Sequence, residues 1–163
     1  MPKFTAKLSV SSLDKLLSSL KAYREKVTQA PTKIVENLAD FGENQIQRGI
    51  QGITDKDGNY LAKAGSYVFG DAGLAYMEGD QSAYLEYGTG IAGKNFPHPQ
   101  ANEAGWQYNS GKTINPRTGD WSYWDAVKGK HIHTKGIPAQ MPVFNAALEM
   151  RGQIVKAAKE ALN

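Results

Sequence analysis

Glycine and the large aromatics crowd into one stretch of this 163-residue chain. Thirteen of its 17 glycines fall between Gly58 and Gly136, and seven of its 8 tyrosines between Tyr60 and Tyr123. All three tryptophans, Trp106, Trp121 and Trp124, belong to the same region. Glycine mixed with aromatics favours turns and short strands over helix. The flanks instead carry apolar residues at helical spacing. Strands gathered in the middle with helices at the ends describe an α+β domain. The expected architecture is a small mixed or antiparallel sheet packed against two or three helices, with a long aromatic Gly-rich loop. One domain over residues 1–163 suits the length, since neither helical flank could bury its apolar face alone.

The periodicities place the elements. Phe4, Ala6, Leu8 and Val10 alternate with polar residues, which predicts a half-buried strand. Ser11, three residues before Asp14, predicts a helix start, and Leu13, Leu16, Leu17, Leu20 and Tyr23 continue it over about 12–28. Pro31 suits a helix first turn, and Ile34, Leu38, Phe41, Ile46, Ile50 and Ile53 extend a second stripe over about 31–53. The two helices are either separate or one kinked rod. Ser66–Phe69 and Leu74–Glu78 read as strands joined at Gly70-Asp71 by a tight hairpin turn. Ala83–Tyr87 fits a short strand or a helical turn. Residues 88–128 show no clear period and read as an extended functional loop. Lys130–Lys135 fits a last strand, and Pro142 opens a final helix with Phe144, Ala147, Leu148, Ile154, Val155, Ala158 and Leu162 on one face.

Composition removes several classes of chemistry. Without cysteine there is no disulfide, thiolate metal site or Cys nucleophile. No stretch is long and apolar enough for a membrane span, and Met1–Val10 lacks the apolar core of a signal peptide, so synthesis in a reducing cytoplasm is expected. Net charge is only +3, but it is unevenly spread. Residues 1–63 hold 10 basic against 7 acidic side chains, residues 64–125 hold 3 against 7, and residues 126–163 hold 6 against 2. A chain with basic ends and an acidic middle suits head-to-tail contact with its own copies, or docking between unlike partners.

No catalytic, metal or cofactor motif emerges. His131 and His133 share one face of the expected strand, but a metal site needs three or four ligands, and His98 or Asp125 would have to complete it. Gly88-Thr89-Gly90 and Gly111-Lys112-Thr113 lack the spacing of a Rossmann turn or a Walker loop. No GxSxG elbow is present. Only Lys94, Lys112 and Arg117 are basic among residues 64–125, too few for sequence-specific nucleic-acid reading. The alternative functional reading pairs Glu86 with Asp120 or Asp125 as a glycosidase-like couple. The Trp106, Tyr108, Trp121, Tyr123 and Trp124 cluster would then stack on a carbohydrate or cell-wall polymer.

Two segments rise above composition. Tyr84-Leu85-Glu86-Tyr87-Gly88-Thr89-Gly90 resembles the Tyr-hydrophobic-Glu-aromatic-Gly-Thr-Gly signature of the tail-completion, or head–tail joining, proteins of tailed phages and prophages. Thr134-Lys135-Gly136, Pro138-Ala139-Gln140 and Pro142-Val143-Phe144 with Ala146 resemble that family's approach to its last helix, except that Val143 separates a Pro-Phe pair often adjacent there. Trp106 and Tyr108 resemble an aromatic segment that follows the signature. The resemblance implies a non-enzymatic structural protein of the virion head–tail junction or tail top. It would be assembled in the bacterial host cytoplasm as a homo-oligomeric ring, hexameric when complete. Neighbouring neck and tail-tube or tail-terminator proteins would be its partners, with no cofactor and no membrane. The residues expected to carry structure or interface are Tyr84, Glu86, Tyr87, Gly88, Thr89, Gly90, Trp106, Tyr108, Trp121, Trp124 and Phe144. A tight turn with a positive φ is expected at Gly88 or Gly90. Glu86 is expected to bond backbone donors in that turn or a basic side chain, and at least one of the tryptophans to sit at a subunit contact.

Overall fold

The computed structural model describes residues 9–54, 60–108, 114–115, 117–126 and 128–162. In chain order these form α1 (Val10–Ile50), β1 (Lys63–Phe69), β2 (Ala72–Glu78), α2 (Ser82–Tyr87), α3 (Gly90–Asn95), β3 (Trp121–Asp125), β4 (Lys130–Thr134) and α4 (Pro142–Leu162). The fold is α+β. Its strands make two separate two-stranded antiparallel hairpins, β1–β2 and β3–β4, rather than one sheet.

The N-terminal flank is one helix of 41 residues, about 61 Å long at the usual rise. It begins earlier than the sequence predicts. Ser9, not Ser11, is the cap: its Oγ accepts from the Ser12 N–H at 3.3 Å and its carbonyl from Leu13 N–H at 3.0 Å. Val10 is therefore helical, which shortens the expected strand from that end; the rest of that strand lies outside the described residues. Pro31 stands inside the helix rather than at a start. It removes one backbone bond, and burial of Ala30 and Ala39 on either side of it offsets the loss. The helix stops at Ile50, and Gly52 follows at φ +78°, a backbone that glycine adopts without penalty.

The C-terminal half of α1 is the spine of the core. α4 runs antiparallel along it: a Cβ on Gly49 would lie 2.9 Å from Pro142 Cβ, and one on Gly42 would lie 2.6 Å from Met150 Sδ. The β1–β2 hairpin covers a second side. Gly42 also faces Ala75, Gly73 faces Val35, and Ser66 Oγ donates to Glu43 Oε2 at 2.5 Å. Three elements thus meet where α1 carries no side chain. Ile46, Ile50, Ala62, Ala64, Leu85 and Ala146 are the buried centre, flanked by Ile53, Leu61, Ala75, Met77 and Val143.

The hairpin is the one the sequence predicts. Phe69 pairs with Ala72 across Gly70-Asp71, and Gly70 has φ +64°. Side chains alternate across it, so Ala64, Ala75 and Met77 reach the core while Tyr67, Phe69 and Leu74 face outward. The last helix begins at Pro142, as expected. Ala83–Tyr87 is helical. Residues 88–128 are not one loop: they contain α3, a run of turns at 99–105 and β3. A six-residue helix and a five-residue strand are too short to register a period, which is why the sequence reads as aperiodic there.

Candidate assembly site around Glu86

Glu86 lies near the end of a single-turn helix with no acidic or basic neighbour in its sequence, yet it is 7% exposed. A buried carboxylate needs donors. Glu86 finds them 57 and 58 residues away: Oε2 accepts from Val143 N–H and Oε1 from Phe144 N–H, both at 2.9 Å. Pro142 takes the first helical position and has no N–H, so these are the first two free donors of α4. The carboxylate is the long-range cap of that helix and sits at the positive end of its dipole.

Oε1 takes a third bond, from His98 Nε2 at 3.1 Å. His98 is 3% exposed, and its Nδ1 accepts from Gln100 N–H at 3.0 Å. A backbone N–H can only donate, so Nδ1 carries no proton and Nε2 carries the one given to Glu86. Both ring nitrogens of His98 and three lone-pair positions of the carboxylate are thus used by the fold, with one position on Oε2 left over. An open cleft of about 540 Å³ borders the pair, with Ser82, Gln100 and Arg151 among its polar lining.

An aromatic cluster packs around the pair. The Tyr87 ring lies 4.7 Å from that of His98 and stacks at 5.2 Å on Trp106; Phe144 meets His98 edge-on at 5.0 Å, and Tyr84 meets Trp106 edge-on at 5.8 Å. Trp106 Nε1 donates to Gly88 O at 3.0 Å, and Tyr108 Oη accepts from His98 N–H at 3.2 Å.

Gly88-Thr89-Gly90 then crosses the segment leading into α4, backbone on backbone. Thr89 N–H donates to Ile137 O at 2.8 Å, Ala92 N–H to Lys135 O at 3.0 Å, Gln140 N–H to Leu85 O at 2.8 Å and Gly90 N–H to Tyr108 O at 2.8 Å. Thr89 Oγ1 accepts from Ile137 N–H at 3.2 Å. Gly88 and Gly90 have φ +76° and +62°. A Cβ on Gly88 would stand 2.6 Å from Ala139 N, and one on Gly90 2.5 Å from Lys135 O. Gly136 faces the carbonyl of Thr89 so closely that no Cβ would fit. Both glycines of the pair thus have the left-handed backbone expected of at least one.

Met141, the residue before α4, has φ +57°, the only left-handed backbone among the described non-glycine residues. Such a position costs about 1–2 kcal/mol. The Gln140–Leu85 bond on one side and the Glu86 cap on the other hold it there.

Nine of the eleven expected residues, Tyr84, Glu86, Tyr87, Gly88, Thr89, Gly90, Trp106, Tyr108 and Phe144, therefore meet in one cluster. Glu86 does bond backbone donors, but those of α4 rather than of the following turn, and its side-chain partner is His98 rather than a lysine or arginine. Trp121 and Trp124 lie apart, on the β3–β4 hairpin. Trp121 packs near Tyr123 at 5.6 Å, and Trp124, 57% exposed, meets His131 edge-on at 5.2 Å. His133 faces Asp120 at 3.5 Å. Among the described residues no three His, Asp or Glu side chains are grouped to hold a metal ion, and no helix is long and apolar enough to cross a membrane. Sequence reasoning weighed His98 only as a metal ligand and missed its part here. Its signal was the bracketing by Pro97 and Pro99, which limits where its ring can go.

Compared with protein-family models, curated proteins and solved structures, the chain matches none of them.

Proposed function

We propose that this chain is a structural subunit of the head–tail junction or tail top of a tailed phage or phage-like particle. It acts by forming a ring and joining head to tail, not by catalysis. One observation carries the reading. The two segments whose sequences resemble tail-completion proteins, 83–90 and 134–147, fold as one unit, joined by the Glu86 cap and the Thr89–Ile137 and Leu85–Gln140 bonds. Motifs that occur together by chance have no reason to meet. His98, both of whose ring nitrogens are bonded within the fold, has no proton or lone pair free for a substrate, which supports assembly over acid–base chemistry at that residue. The acidic middle and basic ends along the chain suit a ring subunit, which needs two unlike contacts.

Deleting the gene from the phage or prophage that carries it tests the reading. Electron microscopy of the lysate should show filled heads and separate tails; intact virions would overturn it. A carbohydrate-binding role remains the second reading because Trp124 presents an exposed indole. A glycan-array signal lost in Trp124→Ala would favour it.

A further inference from the structure

The ring reading leaves open which surfaces meet. α4 has 21 residues and spans about 31 Å, half the length of α1, so residues 10–28 of α1 project past it as an arm. The arm keeps the seven-residue spacing of the covered half. Leu13, Leu20 and Val27 continue to Ile34 and Phe41, with Leu16 and Leu17 beside them. Leu13, Leu17, Leu20 and Val27 are all exposed. Lys21 and Arg24 lie one turn from Leu17 and Leu20 on the same side.

The outer face of the β1–β2 hairpin is the second bare surface. Tyr67 and Leu74 are directly opposed there, and Phe69 beside them is 82% exposed. Its net charge has the other sign: Asp71 is at the turn and Glu78 and Asp80 are at the far end, where Lys63 pairs with Glu78 at 3.6 Å and leaves Asp71 and Asp80 in excess. The apolar stripe from Leu13 to Val27 is about 21 Å long, and a seven-residue strand is about 23 Å. The two surfaces match in length and apolar character, and their net charges are opposite: Asp14, Lys15, Lys21, Arg24, Glu25 and Lys26 leave +2 on the arm, and Lys63, Asp71, Glu78 and Asp80 leave −2 on the hairpin. They cannot meet within one molecule. The inner face of the hairpin is packed on the same continuous helix, so its outer face looks away from α1.

We propose that the arm of one copy lies across the outer face of the β1–β2 hairpin of the next. This deepens the ring reading and rests on it. The contact joins two different patches, so it propagates head to tail and closes into a ring when the rotation allows.

The chain has no cysteine, which makes the test direct. Three single-cysteine variants are prepared at exposed positions: Leu17→Cys, Phe69→Cys and Val155→Cys, the last on the outer apolar side of α4. Far-UV circular dichroism first checks that each is folded. Pairs are then mixed at concentrations approaching millimolar and oxidised. The 17–69 mixture should give at least tenfold more disulfide-linked dimer than either variant alone. Lys21→Glu with Arg24→Glu in the Leu17→Cys chain should cut that yield about tenfold. A dominant 17–17 product would mean two-fold pairing of arms, and a dominant 69–155 product would mean that α4 covers the hairpin. Either overturns the inference, as does the absence of any product. Head–tail joining stands or falls separately, on the particles seen after gene deletion.

Discussion

The two halves of α1 share one apolar spacing and differ in what covers it. From Ala30 to Ile50 the helix is roofed by α4 and walled by the β1–β2 hairpin, and the glycines at 42 and 49 let those neighbours approach to backbone distance. From Val10 to Thr28 the same kind of stripe stands bare. Amphipathic spacing therefore states that a face is to be covered, and it is silent on whether the cover comes from the same chain.

That contrast can be attacked from its closed end first. Gly88→Val should have the largest effect, a loss of at least about 3 kcal/mol by denaturant unfolding. The new side chain meets both a left-handed backbone and the main chain of Pro138 and Ala139. Unchanged stability would mean that the crossing under α4 is not rigid. Next, Ile46→Ala at a site 1% exposed should cost about 2–5 kcal/mol. Glu86→Gln should cost about 1–3 kcal/mol, because the amide turns a donor toward one of three N–H groups. Melting at the wild-type temperature would show that the cap does not hold α4. Pro31→Ala tests the boundary between the halves. If the helix is continuous it should gain about 1–2 kcal/mol, part of the full cost of an interior proline. No gain would separate the arm from the spine. Smallest of all, Leu17→Ala, at a residue 53% exposed, should shift monomer stability by no more than about 0.5 kcal/mol.

Local signals were legible where the cause is local. Gly70-Asp71 sets its own turn, Pro142 marks its own helix start, and strands with β-propensity flank the first. The class α+β follows from these. The misreadings have a common origin in distance. Val10 completed a period-two alternation but is helical, because the Ser9 cap is invisible to such a count. Pro31 looked like a start because the packing that follows it comes from distant segments, such as Gly73 of β2 against Val35 and Ala39. In the candidate site, Glu86 and Gly88–Gly90 stood out by pattern, but the donors Glu86 serves are 57 residues on, and His98 offered only its flanking prolines. Trp121 and Trp124 share composition with Trp106 without sharing its place, since aromatic content does not say which aromatics touch.

The antiparallel contact of α1 with α4 also fixes a timetable. Of the described helices, α1 leaves the ribosome before the others and α4 after them, yet α4 is what covers it. Between Ile50 and Pro142 about 90 residues must be made, which takes roughly 5–20 s at ordinary rates of synthesis. Throughout that interval the seam of α1 has no native lid, and α4's cap donors do not yet exist although Glu86 is already in place. Closure of the domain thus waits for α4 and is dominated by contacts between segments far apart in sequence, the slow kind. A nascent chain stopped short of Pro142 should keep the hairpin wall on the C-terminal half of α1 but leave its α4 side as exposed as the arm.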